Sequence, residues 1–190
     1  MKESPMSGSI VEKLRWYQRF APSVITVHNI RTGKQVREPS LVALDISEVG
    51  KGKLPPYAIG EVGIPLSMER CRAVGNAALD YKDLPGVVVF SPLRHGQIAD
   101  YTAAQYLFRE LFRQVRSGFG VSTLVKPILC IRMQEHTTEV EELAFIDAGI
   151  QIGARRVLLY RESFSSMLDR ARNAPELRSG YILHIESQDE

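Results

Sequence analysis

Apolar and polar positions follow two periods along this chain, and the changes of period mark its elements. From Ser9 the residues Ile10, Leu14, Tyr17 and Ala21 fall on one helical face, with Val11 and Phe20 beside it. Glu12, Arg15 and Arg19 fall opposite, which predicts an amphipathic helix over 10–21. Ser9 followed by Glu12 is a capping box, in which two otherwise orphan backbone donors are satisfied reciprocally. Pro22 then stops the helix. The β-branched run Val24-Ile25-Thr26-Val27-His28 predicts a strand, and Arg31-Thr32-Gly33-Lys34 a turn. A second extended run, Ser40-Leu41-Val42-Ala43-Leu44, suggests a hairpin with the first. Gly50–Lys53 and Pro55-Pro56 mark a surface connection. Tyr57–Gly60 reads as a short strand, 65–73 as a short helix and Val87–Phe90 as another strand.

The second half is more regular. Leu107, Phe108, Leu111, Phe112 and Val115 recur at helical spacing, predicting a helix capped near Thr102 and running to about Arg116. Ile128–Ile131 is a buried-type strand, and Thr138–Ile152 a helix closed by Gly153. Val157–Tyr160 is a strand, Ser163 to about Asn173 a helix ended by Pro175, and Tyr181–Ile185 a last strand. An opening hairpin followed by alternating helices and strands predicts α/β architecture with a mixed sheet.

Composition narrows the function classes. The chain has 190 residues, 44% hydrophobic and 24% charged, enough for a sizeable core. Lys and Arg number 24 against 22 Asp and Glu, so net charge gives no general signal for nucleic acid. The two cysteines, Cys71 and Cys130, lie far apart without metal-ligand spacing, which fits a reducing compartment. No apolar run approaches the ~18 residues of a membrane span. Met1–Pro5 lacks the apolar core of a secretory signal, so the expectation is a cytoplasmic chain.

Three strings carry a family resemblance: Glu38-Pro39-Ser40-Leu41-Val42-Ala43, Ser91-Pro92-Leu93-Arg94-His95-Gly96-Gln97-Ile98-Ala99-Asp100, and Gly153-Ala154-Arg155-Arg156-Val157. With the order of elements, they resemble the bacterial actin-like rod-shape-determining proteins, the MreB family. The second string is the most specific, being similar to that family's Arg-Pro-Met/Leu-x-x-Gly-Val-Ile-Ala-Asp. The resemblance covers nearly the whole chain but only the first half of the family's length. It implies an actin-type, RNase H-like core with a mixed sheet over 23–46 and 92–190. It also implies a small inserted subdomain over 47–91, with the amphipathic helix in 1–22.

The family binds and hydrolyses ATP, and the resemblance shows where this chain departs from it. The family's first phosphate loop, Asp-x-Gly-Thr, aligns with Tyr17-Gln18-Arg19-Phe20. Glycine lets the backbone approach a phosphate closely, and neither Tyr17 nor Arg19 does that or organises a metal. The second loop, Asp-x-Gly-Gly-Gly-Thr, aligns with His184-Ile185-Glu186-Ser187-Gln188-Asp189, where Glu186 and Asp189 would repel phosphate. The glutamate that helps activate water aligns with Glu141, two residues offset at Gln134-Glu135-His136. Its other reading is a surface carboxylate in a helix's first turn. The expectation is therefore no enzyme activity, no cofactor and no metal.

Other chemistry is weaker still. His28, His95, His136 and His184 show no metal-ligand spacing. His136 lies near Glu135 and Glu139 where a solvated helix start is expected. His184 and Glu186 share one face of a strand but at its fraying end. Arg109, Arg113 and Arg116 line the wet face of a helix whose aromatics point to the core, so no stacking platform for nucleic acid is expected. Two features are candidate membrane contacts, as in the resembled family: Ile10, Leu14, Tyr17 and Phe20 on the helix, and Phe119 and Val121 at the tip 117–121. The alternative for the helix is packing on the protein's own sheet. The reading is a non-catalytic actin-like half-protein acting by binding in cell-shape or cytoskeletal organisation. Its expected partners are a full-length actin-like protein and the inner face of the cell membrane. The alternative is a pseudo-ATPase module reused as a scaffold or regulator unrelated to cell shape.

Overall fold

The structure, a computed structural model, describes residues 22–47, 70–116 and 126–187. They divide into two compact units: residues 24–38 with 108–186, and residues 22–23, 39–47, 70–107 and 187. The expected helix 10–21, the tip Phe119–Val121, the connection through Pro55-Pro56 and the short strand Tyr57–Gly60 lie outside the described residues.

The first unit is built on a five-stranded mixed sheet ordered β2-β1-β10-β8-β9. Its strands are β1 (Val24–Asn29), β2 (Gln35–Pro39), β8 (Ile128–Arg132), β9 (Arg156–Tyr160) and β10 (Tyr181–Glu186). The last strand in sequence is thus the middle strand in space. It runs antiparallel to β1, with Ile25 opposite Ile185 and Val27 opposite Leu183, and parallel to β8, with Ile182 beside Cys130. β8 and β9 are parallel in turn.

The side-chain period of two gives each strand residue one face. On one face Ile128, Cys130 and Ile182 pack with Tyr160, Met167, Ala171 and Leu177, the covering helix being α3 (Phe164–Asn173). Ser163 caps α3 by accepting from Ser166 N at 3.2 Å. The opposite face receives α2 (Glu139–Gln151) and the Phe108–Val115 half of α1 (Tyr101–Val115). Phe108 and Phe145 stack between these two helices with ring centroids 6.3 Å apart. Gly149 lets α2 lie close to the sheet, because a Cβ there would sit 2.6 Å from Val157 Cγ2.

The second unit holds a three-stranded antiparallel sheet, β4-β3-β5, of Cys71–Val74, Val42–Asp45 and Val87–Phe90. A 3-10 helix, Gly75–Tyr81, packs Ala78 against Ala43 and Val89. The specific string Ser91–Asp100 forms a tight hairpin of β6 (Leu93–Arg94) and β7 (Gln97–Ile98). His95 and Gly96 both take positive φ, 48° and 75°, the two-residue turn whose twist matches the strands it joins.

Three expectations are corrected. The run 40–44 does not pair with 24–28. The polar stretch Gln35–Pro39 does, and Val42–Asp45 enters the other sheet. The chain changes partner at Pro39-Ser40, where Ser40 is fully buried and shares a 2.7 Å hydroxyl hydrogen bond with Ser91. Residues 71–73 are strand rather than helix, since Cys71 and Val74 face inward beside Leu44 and Val42. The helix cap near 102 is Asp100, whose Oδ1 accepts from Ala103 N at 2.9 Å.

Candidate functional site

The C-terminal end of β10 gathers the polar side chains that the sequence placed at the second phosphate loop. Their positions follow from strand register. Thr26 faces His184 and Val24 faces Glu186 across β1, while β8 brings Arg132 to the other side. Arg132 Nη1 donates to His184 Nε2 at 2.8 Å. A guanidinium can only donate, so Nε2 is the acceptor and the proton of the neutral ring sits on Nδ1. That nitrogen lies 3.7 Å from Glu186 Oε1, and Glu186 Oε2 accepts from Arg37 Nη2 at 2.6 Å. Phe164 stacks on His184 at 5.6 Å and meets His28 edge-on at 6.1 Å.

Burial sets the charge state of this cluster. Desolvation, reinforced by Arg132, lowers the His184 pKa against the opposing pull of Glu186. Desolvation also lowers that of His28, Gln35 opposing through a hydrogen bond and Arg172 reinforcing. Both imidazoles are neutral near pH 7. The end of β10 therefore presents a carboxylate held by Arg37 and an imidazole held by Arg132. Among the described residues no glycine lies at this end of the strand, where the chain runs His184, Ile185, Glu186 and Ser187.

The remaining predicted residues are dispersed. Glu141 sits in the first turn of α2, where its Oε2 accepts from Thr138 N and Thr138 Oγ1, both at 2.8 Å. Thr138 Oγ1 in turn receives Glu141 N, completing a capping box. His136 is exposed and His95 forms the hairpin turn. Cys71 and Cys130 are buried free thiols whose pKa burial pushes up to about 12, so neither is a ready nucleophile. Among the described residues no three His, Cys, Asp or Glu side chains gather as metal ligands, and no helix is long and apolar enough to cross a membrane.

Sequence reasoning missed one feature. A cavity of about 640 Å³ opens at the other end of the same sheet, beside Asn29, Pro127 and Tyr181. Arg31, Arg109, Arg113, Arg116 and Lys126 line it, and among the described residues no carboxylate does. The helical wet face of Arg109, Arg113 and Arg116 was legible, but their convergence with Arg31 and Lys126 is tertiary.

The arrangement of the sheet and the hairpin string now meets independent comparison. The family model described as MreB/Mbl protein matches residues 23–173, most of the chain. The chain belongs to the MreB/Mbl family. It is similar to the cell shape-determining protein MreB of Haemophilus influenzae, 26% identical over 138 residues, which cover 73% of this chain and 35% of that protein. It is also similar to crystal structures of MreB5 of Spiroplasma citri. The form bound to ADP has a TM-score of 0.53 and 22% identity, and the form bound to AMPPNP a TM-score of 0.53 and 23% identity. Each covers 74% of this chain and 36% of that one, and this likeness establishes the actin-type fold. The chain thus spans about a third of the length of these MreB relatives. Within it the family match ends at Asn173, so the middle strand β10 lies beyond the matched residues.

Proposed function

We propose that this chain is a non-hydrolysing MreB-family module. It acts by binding, at the inner face of the cell membrane and to a complete actin-like protein, in the organisation of the cell-shape cytoskeleton. The observation that carries the reading is the end of β10. Where the resemblance aligns a glycine-rich phosphate loop, Glu186 pairs with Arg37 at 2.6 Å and His184 with Arg132 at 2.8 Å. A phosphate approaching there meets a carboxylate, and backbone amides are what such a loop uses to bind phosphate. Glu141, the aligned candidate for water activation, is engaged in capping α2.

Calorimetric titration of the full chain with magnesium-ATP tests the catalytic half of this reading. No saturable heat is expected at about millimolar nucleotide, and a site of about micromolar affinity overturns it. Cosedimentation with filaments of a full-length MreB tests the binding half. Retention in the pellet is expected, and a chain left wholly in the supernatant counts against it.

A further inference from the structure

We propose that the basic cavity at the Asn29–Tyr181 end of the sheet is a binding site for an organic phosphate, a phosphate ester carrying an apolar or ring portion. It lies at the opposite end of β10 from His184 and Glu186, and does not depend on the reading of the phosphate loops.

Five cationic side chains line the cavity, and among the described residues no carboxylate does. Arg113 pairs with the neighbouring Glu110 at 2.7 Å. Arg109, Arg116 and Lys126 have no ion-pair partner among the described residues. The C-terminal end of α1 points here too, but a helix end carries only about half a negative charge. That half charge and Glu110 leave Arg109, Arg116 and Lys126 largely uncompensated among the described residues. Guanidinium forks match phosphate oxygens two at a time, and a dianion uses several of them at once.

Phe112 and Tyr181 meet edge-to-face at 5.3 Å, and Leu129, Ile152 and Pro127 add aliphatic surface. The volume of about 640 Å³ is that of a small-molecule pocket rather than a single-ion niche. The charged rim takes the phosphate and the apolar floor takes what is esterified to it.

Three backbone donors at this end are already used: Ile30 N donates to Gly180 O, Gly153 N to Ile150 O, and Ala154 N to Gly149 O. Asn29 is spent as well, its Nδ2 donating to Val115 O and its Oδ1 accepting from Arg31 N and Thr32 N. Recognition then falls chiefly to the cationic side chains, with the Ser179 hydroxyl also in the lining, and binding should weaken as salt rises.

Chemical-shift mapping on the nitrogen-15-labelled full chain tests this with two probes, phenyl phosphate in solution and phosphatidylglycerol vesicles, with phenol and phosphatidylcholine vesicles as neutral controls. Phenyl phosphate should give saturable shifts at Asn29, Gly153 and Tyr181 with a midpoint of about a millimolar or below. The exposed pair Arg116→Glu with Lys126→Glu should weaken this at least about tenfold. The charge-matched pair Lys82→Glu with Arg172→Glu, placed elsewhere, should not. Binding of phenyl phosphate alone assigns the site to a soluble ester, and binding of phosphatidylglycerol vesicles alone, with the same dependence on Arg116 and Lys126, to a lipid headgroup. Binding of both assigns it to the shared phosphate chemistry. The proposal is overturned if neither probe binds, if the two neutral controls bind equally well, or if the two charge-reversal pairs behave alike.

Discussion

Asn29 Nδ2 donates to Val115 O at 3.0 Å, joining the end of β1 to the last turn of α1 across 86 positions in sequence. The same buried side chain accepts from Arg31 N at 3.1 Å and Thr32 N at 3.2 Å, so one amide closes a helix end and shapes the turn into β2. Asn29→Ala leaves a buried carbonyl and two turn amides without these partners. Removing one partner of a buried hydrogen bond costs about 1–3 kcal/mol, and the upper part of that range is expected here. Urea denaturation checks it; a change under about 0.5 kcal/mol would show the Val115 contact to be dispensable.

The neutral pair His28 and His184 predicts a pH dependence of stability. Their pKa values are lowered in the fold, chiefly by desolvation, with Arg132 acting on His184 against Glu186, and Arg172 acting on His28 against Gln35. The unfolded chain then binds more protons below its own histidine pKa of about 6.5, so stability is fully present above that pH and falls as pH decreases. Both rings contribute to the loss of stability between pH 7 and pH 5. Urea midpoints at the two pH values measure it. His184→Gln should flatten the slope, and a wild-type curve unchanged down to pH 5 would mean that the rings are protonated in the fold.

Much of this fold was legible because its strands are strongly patterned. Ile25 and Val27, Leu129 and Ile131, and Leu183 and Ile185 lie on one buried face, and Ile128, Cys130 and Ile182 on the other, of runs that the sequence marks plainly. β2 was not, because Gln35 and Arg37 are exposed and Val36 and Glu38 only partly buried, leaving no apolar alternation to read. The conspicuous run at 40–44 reads as the partner in its place. Sequence periodicity also carries no information on spatial order, so nothing in Tyr181–Glu186 announced the middle of the sheet. Of the candidate chemistry, the His184–Glu186 pairing followed from the period of two. The engagement of Arg37 and Arg132 with it, from distant strands, did not.

Gly149 predicts a steric cost with a defined location. An added Cβ would lie 2.6 Å from Val157 Cγ2 and 3.1 Å from Leu129 Cδ2, both on the sheet beneath α2. Alanine has the better helix propensity by up to about 1 kcal/mol, so propensity alone would predict stabilisation. Overpacking of a close-packed interface costs about 1–3 kcal/mol and is expected to win. Gly149→Ala should therefore lower the melting temperature, and a rise would show that Val157 yields freely.

The N-terminal segment and the basic cavity predict separable contributions at a lipid surface. If Ile10, Leu14, Tyr17 and Phe20 insert as an amphipathic face, the chain should float with anionic vesicles, and Leu14→Glu should abolish flotation by placing a charge where burial is costly. Apolar insertion persists at high salt, whereas attraction by Arg116 and Lys126 is screened with a Debye length of about 8 Å at physiological ionic strength and about 3 Å at 1 M. Flotation at 1 M salt that depends on Leu14 but not on Arg116 and Lys126 would assign anchoring to the helix. Loss of thermal stability in Leu14→Glu, with flotation retained, would place that helix in the protein's own core instead.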